Sequence, residues 1–527
     1  MLCVLSLNLS SCNVLQREEL YEFNYSIDEY PRNMDPQTLS ETEARLIVQN
    51  VMEGLVTIDK NGQIIPGVAE SYEVSQDGLI YTFSLRKDAA WVDYKAQFYA
   101  NVTADDFVFA FRRIFDRETA SPFANDFACI LNSSLVASGQ VGSEQIGVKA
   151  IDGQTLEIRL KYQNPDFLSL LASPAAMPCN KDFFDSTDAH YGLDARNLLY
   201  NGPFYIGTYS EEKYIYAEKN SAYVSSLPCV AESVLFRVLQ EGESSFQRFS
   251  EGSNDALILA GAQIEFLGAE DYNISAYEDS VWIICLNMLD KVLADKKIRQ
   301  SLALSLDREK YSQNDMPSWM SPASSLIPSI VTVGGESYSQ TSGAGSALKY
   351  SPSEARRLFN AGLEENNLSA LPKTTLIYPE NEAYTHIVQQ MQKSWQNDLS
   401  TFINIEAVPQ AELVQRVSSG DYQLALISLR SDSNSPSAVL NSFKTSSTKN
   451  MPRYYSQQYD SILDSVAAIN DSRRQAEAFA RAEALILSDA AVIPFAKQHT
   501  YYITRKNVED IYFSPYGGII FFKYAKN

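Results

Sequence analysis

The chain is 527 residues long, too long for one ordinary hydrophobic core, so two or three domains are expected. Apolar residues at 45% and charged residues at 20% lie in the globular range, which excludes a disordered or fibrous chain. The net charge of −22 repels phosphate backbones and anionic lipid heads, and so argues against nucleic acid or a basic membrane patch. The same charge biases the surface weakly towards cationic ligands, but it locates no site.

The first twelve residues read MLCVLSLNLSSC. Leu9-Ser10-Ser11-Cys12 has the form of a bacterial lipobox, which makes residues 1–12 a lipoprotein signal and Cys12 the site of lipidation. A lipid on one cysteine anchors an otherwise soluble protein, so the membrane is met through that anchor alone. No later window approaches the roughly 18 apolar residues that a spanning helix needs. Six cysteines are present, without a CxxC pair, so zinc ligation is not expected. Cys129, Cys179, Cys229 and Cys285 are open to either disulfide pairing or burial as free thiols.

After a polar lead, Tyr21-Glu22-Phe23-Asn24 opens the fold. Asn33-Met34-Asp35-Pro36 forms a turn, and a helix through Leu46, Ile47, Val48, Val51 and Met52 closes at Gly54. The stretch Pro66–Ala124 follows, with a PGVAES opening, an alternating strand (Tyr81, Phe83, Leu85), a basic turn ending in Trp91 and a helix. Thr103 and Asp106 set a capping box for that helix. Asp152-Gly153 joins two alternating runs, Val148–Ala150 and Thr155–Leu160, and predicts a hairpin. A new unit begins near Val281 with the strand Val281–Leu286, then a helix Lys296–Leu306. Ser351-Pro352-Ser353-Glu354 starts a further helix, with Gly362 as its predicted C-cap. Strands at 373–378, 402–408 and 422–429, separated by helices, give a β-α-β-α-β order and a parallel sheet. Ligands sit beyond the carboxyl ends of such strands, which directs attention to the exit of 422–429. A helix Ser472–Leu487 and a strand Val492–Phe495 close the pattern.

The Pro66–Ala124 stretch closely resembles the bacterial oligopeptide-binding proteins (extracytoplasmic solute-binding protein family 5), the substrate-binding components of peptide ABC transporters. Asn201-Gly202-Pro203-Phe204-Tyr205 matches that family's Asn/Thr-Gly-Pro-Tyr turn, and KIRQSLALSLDRE from Lys297 to Glu309 is similar to its Val-Arg-x-Ala-Leu-x-x-Ala-Ile-Asp-Arg segment. The resemblance covers nearly the whole chain. It implies an α/β, two-lobed periplasmic-binding-protein-like fold (type II, Venus-flytrap) with an extra inserted small domain. Lobe I is then 13–56, 173–280 and 495–527, the insert 57–172, and lobe II 281–494. The implied function is capture of oligopeptides between the lobes and delivery to an inner-membrane ABC permease with ATPase subunits. A monomer outside the cytoplasmic membrane, lipid-anchored, completes the expectation.

The resemblance also implies site residues. The loop after strand 422–429 reads Leu429-Arg430-Ser431-Asp432-Ser433-Asn434-Ser435-Pro436, against a family pattern of Trp-x-x-Asp-Tyr-x-x-Pro. Asp432 falls on the position whose carboxylate receives the peptide's α-ammonium group, a charge-assisted contact. The plainer reading of Asp432-Ser433-Asn434 is an Asx turn. Leu429 replaces the Trp and Ser433 the aromatic, and Arg430 adds a cation that either neutralises Asp432 or meets an acidic group on the ligand. Glu41-Thr42-Glu43 is expected alongside the peptide backbone, in β-augmentation. Its acids otherwise suit a helix start. The altered 429–433 loop leaves a receptor for murein stem peptides, or another non-standard ligand, as the nearest alternative. An envelope peptide-binding chaperone or sensor subunit is the alternative of another class.

Catalysis finds no support in the residue inventory. The three histidines, His190, His386 and His499, are far apart and lack HExxH spacing. No GxSxG elbow, Walker-type GxxxxGK[ST] loop or GxGxxG motif occurs. No catalytic residue, metal site or cofactor is assigned.

Overall fold

The computed structural model describes residues 21–527, apart from 165, 269, 432, 467, 468, 470, 517 and 518. The lipobox with Cys12 and the candidate ligand contact Asp432 both lie outside the described residues.

The N-terminal strand Glu22–Ile27 buries Phe23 and Ile27 and pairs in parallel with Ser233–Val238. Tyr214–Lys219 and Phe204–Ser210 extend this four-stranded sheet in antiparallel fashion. The helix Thr42–Val51 packs Ala44, Leu46, Ile47, Val48 and Val51 into the adjoining core. The Asn201-Gly202 turn has a steric cause: a Cβ on Gly202 would stand 2.5 Å from the backbone of Val51 and Met52. Asn201 fixes the approach through both amide atoms, accepting from Glu53 N–H at 3.1 Å and donating to Glu53 C=O at 2.8 Å.

The region predicted as an insert carries its own antiparallel sheet, in the order Ala69–Val74, Ile80–Leu85, Thr155–Arg159, Val148–Asp152. The last two strands form the expected Asp152-Gly153 hairpin. On the helix Ala104–Phe115, Asp106 accepts from Thr103 N–H at 2.9 Å and from the Trp91 indole at 3.1 Å. Burial raises the Asp106 carboxyl above its ordinary value. One continuous apolar cluster runs from this sheet into the first lobe and takes in Val508, Ile520 and Phe522 of the C-terminal tail.

A seven-stranded sheet with a buried cluster on each face forms the core of the second lobe and extends to Ala256–Ala260 at its far edge. Thr375–Pro379 pairs in parallel with both Asn404–Val408 and Leu424–Arg430, with helices Glu382–Leu399 and Gln410–Ser419 in the crossovers. The predicted β-α-β-α-β order is therefore present. The expected stop at Gly362 is not: the helix Pro352–Glu365 runs through it. Gly362 serves helix packing instead, since a Cβ there would lie 2.8 Å from the Ile298 side chain on the neighbouring helix Lys296–Leu304.

Two strands join the lobes. Tyr272–Leu286 and Val492–Arg505, of 15 and 14 residues, run antiparallel over most of their length. At about 3.3 Å per residue each is about 45–50 Å long, enough to reach from one lobe into the other. One end of Val492–Arg505 pairs with Ala256–Ala260, and the opposite half of Tyr272–Leu286 pairs with Leu424–Arg430. The predicted lobe boundaries at 281 and 494 fall inside these strands. Two bulges interrupt their pairing, one at Asp279 between the Glu278–His499 and Ser280–Gln498 pairs, the other at Phe495. Bulges re-aim side chains and bend strands, and they concentrate near functional sites.

Candidate functional site

The carboxyl end of Leu424–Arg430 meets the crossover strands at the Asp279 bulge. Register places Val281 opposite Leu429 and Ser280 opposite Arg430. Leu429, at 8% exposure, packs into one face of the second-lobe core, so it presents little surface to a ligand. Ser431 is fully buried and donates its hydroxyl hydrogen to Ser433 C=O at 2.6 Å. Asn434 secures the loop to a hairpin, accepting from Thr332 N–H at 2.7 Å and donating to the Thr332 hydroxyl at 2.8 Å. Ser435 then caps the short helix Pro436–Leu440. Ser431 and the residues from Ser433 to Ser435 are thus tethered.

Arg430 has an internal partner that sequence reasoning missed. Its Nη2 lies 2.8 Å from Asp279 Oδ2 and donates to Thr500 Oγ1 at 2.9 Å. Asp279 is completely buried and also accepts from the Thr500 hydroxyl at 2.7 Å and the Tyr502 hydroxyl at 3.1 Å. Beside it, Glu278 accepts from Ser321 at 2.8 Å and faces Lys497 at 3.5 Å and His499 at 3.9 Å. The available signal was Glu278-Asp279-Ser280, three polar residues directly before a run that is apolar and wholly buried.

On the first lobe, Glu41 is extended and precedes the helix Thr42–Val51, and its carboxylate accepts from Arg32 N–H at 2.8 Å. Thr42 and Glu43 are helical. This corrects the expectation of a strand-like Glu41-Thr42-Glu43: extended backbone ends at Glu41, because the following residues supply the helix's first turn. Burial, with Asp28, Glu29 and Glu41 nearby, raises the Glu43 carboxyl. The turn ahead of this segment is held by Arg113, whose Nη1 donates to Asp35 at 2.9 Å and Gln37 at 2.7 Å and whose Nη2 donates to Asp35. Gln37 in turn donates to the carbonyls of Ala175 and Met177. No hydrogen bond or ion pair among the described residues joins Glu41–Glu43 to Leu429–Ser431. The two sets stand on separate lobes. A contact between lobes occurs elsewhere, where the Tyr516 hydroxyl of the C-terminal tail donates to Ile330 C=O at 3.0 Å.

Among the described residues no group of three or more His, Cys, Asp or Glu is placed to hold a metal ion, and no helix is long and apolar enough to cross a membrane. Cys129, Cys179, Cys229 and Cys285 are buried free thiols.

Two α/β lobes joined by paired crossover strands, with the exits of parallel strands at the junction, define a two-lobed binding protein. The chain belongs to the bacterial extracellular solute-binding proteins of family 5, whose middle-region description matches residues 63–451. It is 26% identical over 502 residues to the probable deoxycholate-binding periplasmic protein YgiS of Escherichia coli (strain K12), covering 92% of this chain and 89% of that one. The fold matches the substrate-binding domain of an oligopeptide ABC transporter from Bacillus anthracis str. Ames, with a TM-score of 0.81, 26% identity and coverage of 96% and 98%. It also matches Listeria monocytogenes OppA bound to peptide, with a TM-score of 0.80, 25% identity and coverage of 96% and 99%.

Proposed function

We propose that this protein captures oligopeptides between its two lobes and delivers them unchanged to a membrane ABC permease. The observation that carries the reading is the tethering of Ser431 and Asn434 at the exit of a parallel strand, beside the crossover strands of a family 5 fold. In this reading Asp432 receives the ligand's α-ammonium group, and extended backbone up to Glu41 pairs with the ligand's main chain from the first lobe. A ligand that touches both lobes only when they approach favours the closed state, and that state is the one a permease would recognise. Cys12 carries the lipid that keeps the protein at the outer face of the cytoplasmic membrane. The similarity to OppA bound to peptide supports a peptide ligand. The murein-peptide alternative drew on Arg430 as a donor to extra ligand carboxylates, and that guanidinium already has Asp279.

Native mass spectrometry of the purified protein tests the ligand class: co-purified peptides of heterogeneous sequence are expected. A uniform non-peptide adduct, such as a bile acid, overturns the reading. For the role of position 432, Asp432→Ala should weaken peptides with a free N-terminus far more than N-acetylated ones. Equal losses in the two series remove that assignment.

A further inference from the structure

Arg430 stands at the mouth of the proposed site, about a third exposed, with its charge directed inward. Three donors, from Arg430, Thr500 and Tyr502, converge on the one carboxylate of Asp279, which has no exposure of its own. A buried carboxylate is retained only when paired, and removing its cation leaves an uncompensated charge. The strength of this arrangement lies in its preorganisation. Asp279 occupies the bulge of one strand, Thr500 and Tyr502 the strand paired with it, and Arg430 the strand on the other side. All four residues belong to a single sheet, so the carboxylate is surrounded before any ligand arrives. A ligand carboxylate reaching for Arg430 from the cleft would have to displace a partner that is already desolvated and triply bonded.

From this geometry we infer that Asp279 is a specificity-determining residue: it sequesters Arg430 and so prevents the cleft from reading an acidic group on the ligand at this point. The inference rests on the peptide-capture reading and refines it. The protein accepts the amino end of a peptide beside a cation that is electrically silent, and its preference is indifferent to acid against amide in the ligand near this residue. Loss of the Asp279 charge should free Arg430 and create a preference that the native protein lacks.

The test is isothermal titration of the wild type, Asp279→Asn, Arg430→Met and the double variant. The probes are synthetic tri- to pentapeptides in Glu/Gln pairs of otherwise identical sequence. The wild type and Arg430→Met should bind both members of each pair alike. Asp279→Asn should favour the Glu member of at least one pair by about tenfold, the size of one bond to a charged group. The double variant should return that ratio to one. A structural role alone would lower all affinities together and leave the ratio unmoved, and that result overturns the inference. So does a wild type that already prefers Glu peptides through Arg430. If Asp279→Asn does not fold, the Arg430→Met comparison decides: any change in the wild-type ratio refutes sequestration. A wild type that binds none of the peptides refutes the capture reading instead. Sequestration is then read without ligand, by phenylglyoxal modification of Arg430 mapped by mass spectrometry. Slow reaction in the wild type and fast reaction in Asp279→Asn are expected, and equal rates overturn the inference.

Discussion

Replacing Arg113 by Met should unfasten the turn that leads into the first-lobe side of the site. The side chains of Arg113 and Asp35 are only 8% and 7% exposed, so both charges are out of water. The guanidinium makes three donations to oxygen, two to Asp35 and one to Gln37, and a longer one to Cys179 Sγ at 3.7 Å, and it lies 4.3 Å from the Phe184 ring centroid. Met conserves much of the volume and none of the donors. The Asp35 carboxylate would keep one bond, from Gln37 N–H at 3.1 Å. Breaking one side of a buried pair costs about 3–5 kcal/mol, which is a large share of the stability of a typical domain, about 5–15 kcal/mol. Urea unfolding followed by circular dichroism should show this loss in the first transition. Arg113→Met with Asp35→Asn should cost less than the two single changes added, since the second substitution removes the stranded charge. Hydrogen exchange should also quicken at residues 34–41 in Arg113→Met. A loss below about 1 kcal/mol, or strict additivity with unchanged exchange, would refute the clamp.

Two further predictions follow from groups whose protonation is shifted by burial. The Asp166 carboxyl is pushed up to about 6 from an ordinary value of 3.8, by desolvation alone. An acid raised in the folded state contributes stability that is fully present below its ordinary value and is lost as pH rises through about 6. Asp166→Asn should therefore match the wild type in Tm near pH 4 and exceed it above about pH 6, and a pH-independent difference defeats the argument. Burial likewise pushes the Cys129 thiol up to about 11 and those of Cys179, Cys229 and Cys285 to about 12. Thiolate is the reactive form, so labelling with a disulfide reagent at pH 8 should be slow at all four in the native protein and rapid after unfolding. Fast native labelling at any one of them counts against its burial.

Much of the second lobe was legible because its signals are local. Apolar strands flanked by capped amphipathic helices predict the β-α-β-α-β order, and the observed strands at 375–379, 404–408 and 424–430 differ from expectation by one or two residues. The signature around Trp91 and Asp106 was legible as a family mark, but its physical work was not. It builds the platform on which Arg113 holds Asp35, and that contact joins residues far apart in the chain. Gly362 was misread because a glycine that ends a helix and one that admits a neighbouring helix look alike in sequence. The crossover strand was read only from Val281 onward. Its first half, Tyr272–Ser280, is largely polar and only partly buried, and it is a strand because Val492–Arg505 pairs with it. Asp279 was hidden for the same reason. Only the bulge and the third strand turn an acid in a polar run into a buried carboxylate.

That placement bears on how the two lobes can move. Asp279 and Glu278 are adjacent acids at the bend of the crossover strand; Asp279 finds its partners within the same sheet, and Glu278 finds them there, on the short strand Met320–Pro322 joined to it, and at Ser329. On the proposed mechanism, rotation about this bend would keep together the pairs that are made within one sheet. The Tyr516 bond to Ile330 differs, because it links a tail anchored in the first-lobe core by Val508 and Ile519 to the second lobe. Opening must break it, and Tyr516 can exchange that carbonyl for water at little net cost. Charge at the bend is paired largely within the sheet, while contacts between the lobes, such as the Tyr516–Ile330 and Ser318–Glu265 hydrogen bonds, are the ones that opening would have to break. On the proposed mechanism this division lets ligand contacts decide the balance between open and closed states.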